Sequence, residues 1–307
     1  MRRGFWLLAL GLGLAFAVTA QGQPPLAQTS SRVSGDRAWK HLNAQVNHGP
    51  RVPGSLGHAK TLAYLEAELR RAGGRVTVDR FTVRLEGKSY AMANLYADFG
   101  PTAPDGLQGG MLAAHWDTRP VADHDPEPAN RAQPIPGAND GASGTAVLLE
   151  IARVLGETPP QTPLRIAFWD GEDLGTTDAT MFYGSRFYVR NRPLPRWGIL
   201  LDMVGDRDLV IPQEGYSAHH APELTRRIWD AAKLLGYASY FPRREGPAIN
   251  DDHLPFLGAG VPFVDLIDFD YPYWHTLGDK PERCSAKSLE IVGNVVLHVV
   301  RELDRQK

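Results

Sequence analysis

The octapeptide FWDGEDLG, Phe168 to Gly175, sets three carboxylates within four positions directly behind the hydrophobic run LRIAF. A charge next to a buried strand end is costly unless a cation or hydrogen-bond donors meet it. Asp170, Glu172 and Asp173 therefore mark either a solvated acidic turn or a cation site. Four other segments carry matching chemistry: His115 and Asp117 in AHWD, Asp140 in GAND, Asp202 in GILLD and His275 in YWHT. Carboxylates with imidazoles suit zinc, which takes nitrogen and oxygen ligands tetrahedrally and leaves a position for substrate or water. Calcium would want more oxygens and fewer imidazoles. Glu172 and Asp173 are neighbours, so one geometry does not serve both. The shorter Asp173 suits a fixed ligand, and the longer Glu172 suits a general base and acid.

The elements that must bring these residues together are legible as alternating helices and strands. Asp36 can cap a helix through RAWKHLNAQV. A second helix places Leu62, Leu65, Leu69 and Ala72 on one face and ends at Gly73 and Gly74. Strand-like runs follow at RVTVDRFTV, YAMANLYADF and GGMLAAHWD. A long proline-rich loop then leads to GAND, and loops of that length in a compact domain are usually functional. Helix ASGTAVLLEIARVL, strand LRIAFWD, a helix over ATMFYGSRFYVRN and strand WGILLDMVG come next. Helix APELTRRIWDAAKLLG, strand PFVDLIDF and a closing helix with Leu289, Val292, Val296, Val299 and Leu303 on one face complete the pattern. The alternation predicts one α/β domain, a single-domain α/β/α sandwich with a central mixed, mostly parallel sheet. In such sheets ligands bind outside the carboxyl ends of strands, where each polar segment named above falls.

The 307 residues are 43% hydrophobic and 22% charged with a net charge of −2. That balance argues against a nucleic-acid partner held by phosphate neutralisation. The start, MRRGFWLLALGLGLAFAVTA, has two arginines, an apolar run and small residues up to Ala20. Residues 1–20 are expected to be a cleaved signal peptide, since the apolar run is short for a stable membrane anchor. No cysteine follows the small residues, against a lipoprotein anchor. Residues 21–34 are expected to be disordered, and 35–307 to form the folded domain. Cys284 is the one cysteine and can form no internal disulfide. Export without disulfides fits a periplasmic or secreted bacterial enzyme.

The segments AHWD, PGANDGASG, DGED, LLDMVGD and YWHT resemble the zinc-dependent exopeptidase superfamily that includes aminopeptidases and glutaminyl-peptide cyclotransferases. HWDTRPVADHDP, GANDGASGTAVLLEIAR, the Glu-Asp pair, DDHLPF and YWHT are most similar to the bacterial cyclotransferases, from about Asp36 to the C-terminus. The resemblance implies one zinc per chain, held by Asp140, Asp173 and His275. It implies Glu172 as proton shuttle, Asp202 and Asp251 as acids supporting substrate and transition state, and Trp274 as an aromatic wall. Two departures stand out. The animal enzymes have Glu where this chain has Asp173, and a tryptophan shortly after the acid pair, near Asp178, where this chain has none. Tyr271 or Tyr273 can fill that side.

The implied activity joins the α-amine of an N-terminal glutamine to its γ-carbonyl and releases ammonia. The implied partners are peptides or proteins beginning with Gln, acted on by a monomer. A two-zinc aminopeptidase remains open, with His115 and Asp202 completing the second site, and so does a non-catalytic zinc-binding module. Asp117 and Asp170 are expected behind the metal ligands, and Asp265 with Asp268 in a polar network behind the site. His58, His219, His220, His253 and His298 read as packing or surface residues.

Overall fold

The computed structural model describes residue 1, residues 31–101 and residues 107–306. The expected signal peptide, apart from Met1, and most of the segment 21–34 lie outside the described residues. Ordered chain is already present before Asp36. Val33 is buried and its amide donates to Asn294 Oδ1 at 3.2 Å. Helix α1 (Gly35–Asn47) is capped by Ser34, whose hydroxyl accepts from the Arg37 amide, so Asp36 sits in the first turn and is not the cap.

Six strands form one sheet in the order β1-β2-β4-β3-β5-β6. β1 (Arg75–Leu85) and β2 (Lys88–Phe99) make an antiparallel hairpin. Glu86 and Gly87, at φ 51° and 78°, form its two-residue turn, a conformation that matches strand twist. β2 runs antiparallel to β4 (Leu164–Trp169). β3 (Gly110–His115) is parallel to β4 and to β5 (Trp197–Asp202), and β6 (Phe263–Ile267) is parallel to β5. The sheet is mixed, as expected, with its parallel part buried on both faces. That burial is why these strands read as continuous apolar runs.

Alternate side chains enter two separate cores. Leu112, Ala114, Ile166, Phe168, Ile199 and Leu201 join the larger core. It is built with α1, α2 (Leu56–Arg71), α3 (Ala142–Glu157), α6 (Pro222–Leu234) and α8 (Ala286–Arg305). Met111, Ala113, Ala167, Trp169 and Leu200 join a smaller one. It is covered by α4 (Tyr183–Asn191) and the short α7 (Leu254–Gly258). A short α5 (Gly215–His220) packs between α6 and β6. Fully burying each large aliphatic side chain contributes roughly 1.5–3 kcal/mol. Helix α3 comes unusually close to the sheet: a Cβ on Gly144 would lie 2.1 Å from the Leu201 carbonyl oxygen.

One expected helix is shorter than its pattern. ATMFYGSRFYVRN becomes helical only from Tyr183, after a 3-10 turn over Asp178–Thr180, because Phe182 sits in the left-handed region at φ 59°. The chain leaves β3 toward β4 on one side and then crosses back to β5 on the other. This reversal opens a crevice at the carboxyl ends of β3, β4 and β5.

Candidate active site

The three acids of the opening octapeptide meet three different fates. Asp170 turns away from the crevice and accepts from the Ala93 amide at 2.6 Å. Both its oxygens lie within 3.0 Å of His58 Nε2, whose ring stacks on Trp116. Burial raises the Asp170 carboxyl to about 6. Asp173 faces cations: Arg119 Nη1 donates to Oδ1 at 2.8 Å, and His275 Nε2 stands 3.4 Å away. These outweigh burial and hold its pKa below the usual range. Glu172 has no such partner, and its closest imidazole nitrogen is His115 Nδ1 at 3.7 Å. Burial, then the Asp173 charge, push Glu172 well above an ordinary glutamate. A buried carboxyl poised to hold a proton is what general acid–base work requires.

Backbone hydrogen bonds fix this turn. Asp117, two residues beyond β3, accepts from the amides of Glu172 and Asp173 at 3.1 and 3.2 Å. Asp140 comes from the end of the long loop, where the Asn139 and Asp140 amides donate to the two oxygens of Asp279 at 2.8 and 3.1 Å. Gly141 follows at φ 91°, and a Cβ there would lie 2.6 Å from the Asp117 carbonyl oxygen, so the close approach of the two segments depends on glycine.

His275 Nε2 lies 3.6 Å from Asp140 Oδ2 as well as 3.4 Å from Asp173 Oδ1. Donor atoms of Asp140, Asp173 and His275 all lie within 4.8 Å of one another. Zinc bonds of about 2.0–2.2 Å at tetrahedral angles separate ligand atoms by about 3.4 Å, which these contacts approach. Asp173 Oδ2 is buried without a hydrogen-bond partner. The residues therefore fit zinc. Asp140, Asp202 and His115 form a second group, with His115 Nε2 3.1 Å from both Asp140 Oδ1 and Asp202 Oδ1. Asp251, from the loop before α7, is buried and pushed well up, first by burial and then by the charges of Asp202 and Asp252.

Several residues that hold the site carried no sequence signal. Arg51 is fully buried and donates to the carbonyls of Trp116, Pro136, Gly137 and Asp140 at 2.6–3.4 Å, which ties the long loop to β3. Arg119 grips Asp123 through two hydrogen bonds and Asp173 through a third. His124 meets Trp274 edge-on at 4.5 Å, and its amide donates to the His275 carbonyl. Trp274 stacks on His275 at 3.9 Å and contacts the exposed Phe269 at 5.0 Å. Tyr271 is buried and its hydroxyl donates to Asp279 Oδ1 at 2.8 Å, so it braces the loop that carries Asp140. Tyr273 packs edge-on against Tyr271 and lies under the Arg283 guanidinium. Near Asp178, where a tryptophan was missing, Asn250 Nδ2 donates to the Asp178 carboxylate at 2.7 Å.

Backbone strain concentrates here. Phe182, Met203 and His275 have φ of 59°, 45° and 55°, and each is next to or hydrogen-bonded with a segment of the crevice. Strained residues of this kind cluster at functional sites.

Loss of Arg119 should loosen the Asp140–Asp173–His275 group. Arg119→Ala frees Asp173 Oδ1 and removes the tether to Asp123, and partners of this type typically set metal affinity by about 10–100-fold. Zinc titration by competition with a chromophoric chelator is expected to show a drop in that range, and unchanged affinity would assign Arg119 to packing alone.

The expected polar network divides in two. Asp265 lies beside His253, with Oδ2 4.0 Å from Nδ1, while His253 Nε2 reaches Glu214 at 3.3 Å. Asp268 instead accepts from the Val210 amide at 2.8 Å, and burial raises it to about 7. Its folded pKa exceeds the unfolded value, so it binds its proton more tightly in the native state. Stability should thus be lost as pH rises from about 4 to 7. Asp268→Asn keeps an acceptor for Val210 and removes this loss. Thermal midpoints at pH 5 and pH 8 should lie closer together in the variant than in the parent.

Residues 94–300 match Peptidase family M28. A crystal structure of Bacteroides thetaiotaomicron glutaminyl cyclase bound to N-acetylhistamine is 36% identical, with a TM-score of 0.84 over 88% of this chain and 98% of that one. A leucine aminopeptidase precursor from Bacteroides thetaiotaomicron VPI-5482 has the same identity and TM-score, covering 88% of this chain and 97% of its own. A glutaminyl-peptide cyclotransferase-like protein from Bos taurus is 30% identical over 264 residues, or 75% of this chain, which spans 66% of the bovine protein's length.

Proposed function

The chain belongs to peptidase family M28, and from that premise we propose that it is a glutaminyl-peptide cyclotransferase that converts N-terminal glutamine to pyroglutamate. The observation that carries this reading is the agreement of two likenesses, 36% identity to a solved bacterial glutaminyl cyclase and 30% to a glutaminyl-peptide cyclotransferase-like protein. Asp140, Asp173 and His275 would hold one zinc per chain. That zinc would supply a Lewis acid for the γ-carbonyl of the substrate glutamine.

The remaining chemistry falls to the chain's own residues. Glu172 accepts a proton from the α-amine as its nitrogen bonds to the γ-carbonyl carbon. The same carboxyl returns that proton to the departing nitrogen, which leaves as ammonia when the old C–N bond breaks. Asp202 and Asp251 hold the amine against the carbonyl, and the tether between the reacting groups supplies proximity. Trp274, with Tyr273 on the same side, gives the flat glutamine side chain an apolar face and keeps bulk water from competing. Tyr271 braces the Asp140 loop through Asp279.

The two-zinc aminopeptidase reading has two observations in its favour, the equal likeness to a leucine aminopeptidase precursor and the His115–Asp140–Asp202 group. Its His115 Nε2 lies within hydrogen-bonding distance of both acids, so the ring itself can bridge them. Two measurements separate the readings. One zinc per purified chain with ammonia release from Gln-initiated peptides is the expected result. Two zincs with hydrolysis of a leucine amide would replace it by the peptidase.

We also propose that residues 1–20 direct export and that the enzyme works as a monomer in the periplasm or outside the cell. Among the described residues no helix is long and apolar enough to cross a membrane. Mass spectrometry of the exported protein should place its N-terminus at Gln21, as the free residue or, lighter by one ammonia, its cyclised form.

A further inference from the structure

Beside the crevice lies a second cleft of about 400 Å³, between α4 and the segment that leads into α7. Phe182, Val189, Leu254 and Pro255 give it an apolar lining, and Arg186 and Arg190 give it a cationic side. Arg186 packs over the Phe182 ring with its guanidinium carbon 5.5 Å from the centroid. Among the described residues neither arginine has a carboxylate partner. Asp178 is the one carboxylate among the lining residues, and Asn250 already engages it.

The cleft is continuous with the catalytic segments. The Phe182 amide donates to the Glu172 carbonyl and the Leu254 amide to the Asp251 carbonyl, both at 3.0 Å. The Ser185 hydroxyl donates to Asp252, which clamps α4 to the same loop. Two residues that line the cleft, Phe182 and Leu254, are thus hydrogen-bonded to the backbone of the segments that carry Glu172 and Asp251. Asp178 and Asn250, hydrogen-bonded to each other, line the cleft.

We propose that this cleft receives the residues that follow the N-terminal glutamine, and that Arg186 and Arg190 select peptides with acidic side chains at the third and fifth positions. The spacing supports that pattern. Arg186 and Arg190 are four residues apart on one helix, a rise of about 6 Å. Alternate side chains of an extended peptide point the same way about 6.5–7 Å apart. Two acids separated by one residue therefore meet two guanidiniums, while the apolar lining takes the stems of their side chains. The inference rests on the cyclotransferase reading and names the substrate class for it.

The test compares Gln-Ala-Glu-Ala-Glu amide, Gln-Ala-Lys-Ala-Lys amide and the short Gln-Ala amide, with the zinc-loaded full chain and ammonia release as readout. The acidic pentapeptide is expected to exceed the lysine peptide about tenfold in kcat/KM. The difference should reside in KM and shrink at high salt, where exposed charges are screened. Arg186→Glu with Arg190→Glu should reverse the order, and Arg186→Gln with Arg190→Gln should abolish it. Both arginines are at least partly exposed, so neither pair should disturb folding, and Gln-Ala amide should react within about twofold of the parent rate in each. Turnover of Gln-Ala amide with equal rates on the two pentapeptides overturns the cleft assignment alone. A preference that survives charge reversal does the same. Failure to cyclise Gln-Ala amide overturns the cyclotransferase reading and the assignment with it.

Discussion

Glu172→Gln should reduce turnover of Gln-initiated peptides by about 10²- to 10⁴-fold, the usual contribution of a positioned acid–base group. In free energy that is on the order of 3–5 kcal/mol of transition-state stabilisation. The substitution preserves shape and hydrogen-bonding capacity but cannot accept a proton. KM should change little, and bound zinc should stay at the parent level, since Glu172 is not among the three grouped donors. Stability carries an independent check. Burial and Asp173 raise the Glu172 carboxyl in the native state, so ionising it destabilises the fold as pH climbs above the unfolded value near 4.5. The neutral variant should therefore be at least as stable as the parent at pH 8. A variant that bound zinc and kept full turnover would remove Glu172 from the chemistry.

His275→Ala should be more damaging, because it takes away the only imidazole of the Asp140–Asp173–His275 group. Structural zinc sites draw on the order of 10 kcal/mol or more from their ligands, so losing one of the three donors grouped here weakens binding by roughly 10²–10³-fold. Activity should vanish at ordinary zinc concentrations, as it should in the parent after chelation, and return in the parent alone when zinc is restored. The matching His115→Ala variant is expected to keep its single zinc. A fall from two ions to one on loss of His115 would establish a second metal site.

The acidic cluster was legible because Asp173 follows β4 and Asp202 closes β5, whereas Asp140 and His275 lie in loops and were joined to them through the resemblance. LRIAFWDGED and GILLD announce a buried strand by hydrophobicity and then break it with acid, which buried chain does not do without reason. Asp117 was likewise visible, although its role proved to be holding the Glu172 and Asp173 amides. Arg51, Arg119 and Asp279 were not visible. Each satisfies groups that are distant in sequence: Arg51 meets carbonyls across 65 to 89 positions and Asp279 meets amides 139 and 140 positions away. Such bonds leave no periodicity and no local motif. The late start of α4, after Phe182, has the same origin. Its residues favour a helix locally, but the hydrogen bond from the Phe182 amide to Glu172 commits the backbone to the acidic turn. Aromatic neighbours such as His124 and Phe269 escaped because packing against Trp274 depends on two loops meeting.

The dispersal of the ligands along the chain has a thermodynamic corollary. Asp140, Asp173 and His275 are brought together by three separate loops, so an unfolded chain offers no comparable set of donors. An ion that recognises only the native arrangement shifts the folding equilibrium by mass action, adding about 2.7 kcal/mol when its free concentration is one hundred times its dissociation constant. Melting temperature should then climb with the logarithm of free zinc, and a calorimeter could read the affinity of the centre from an enzyme that is turning over nothing at all.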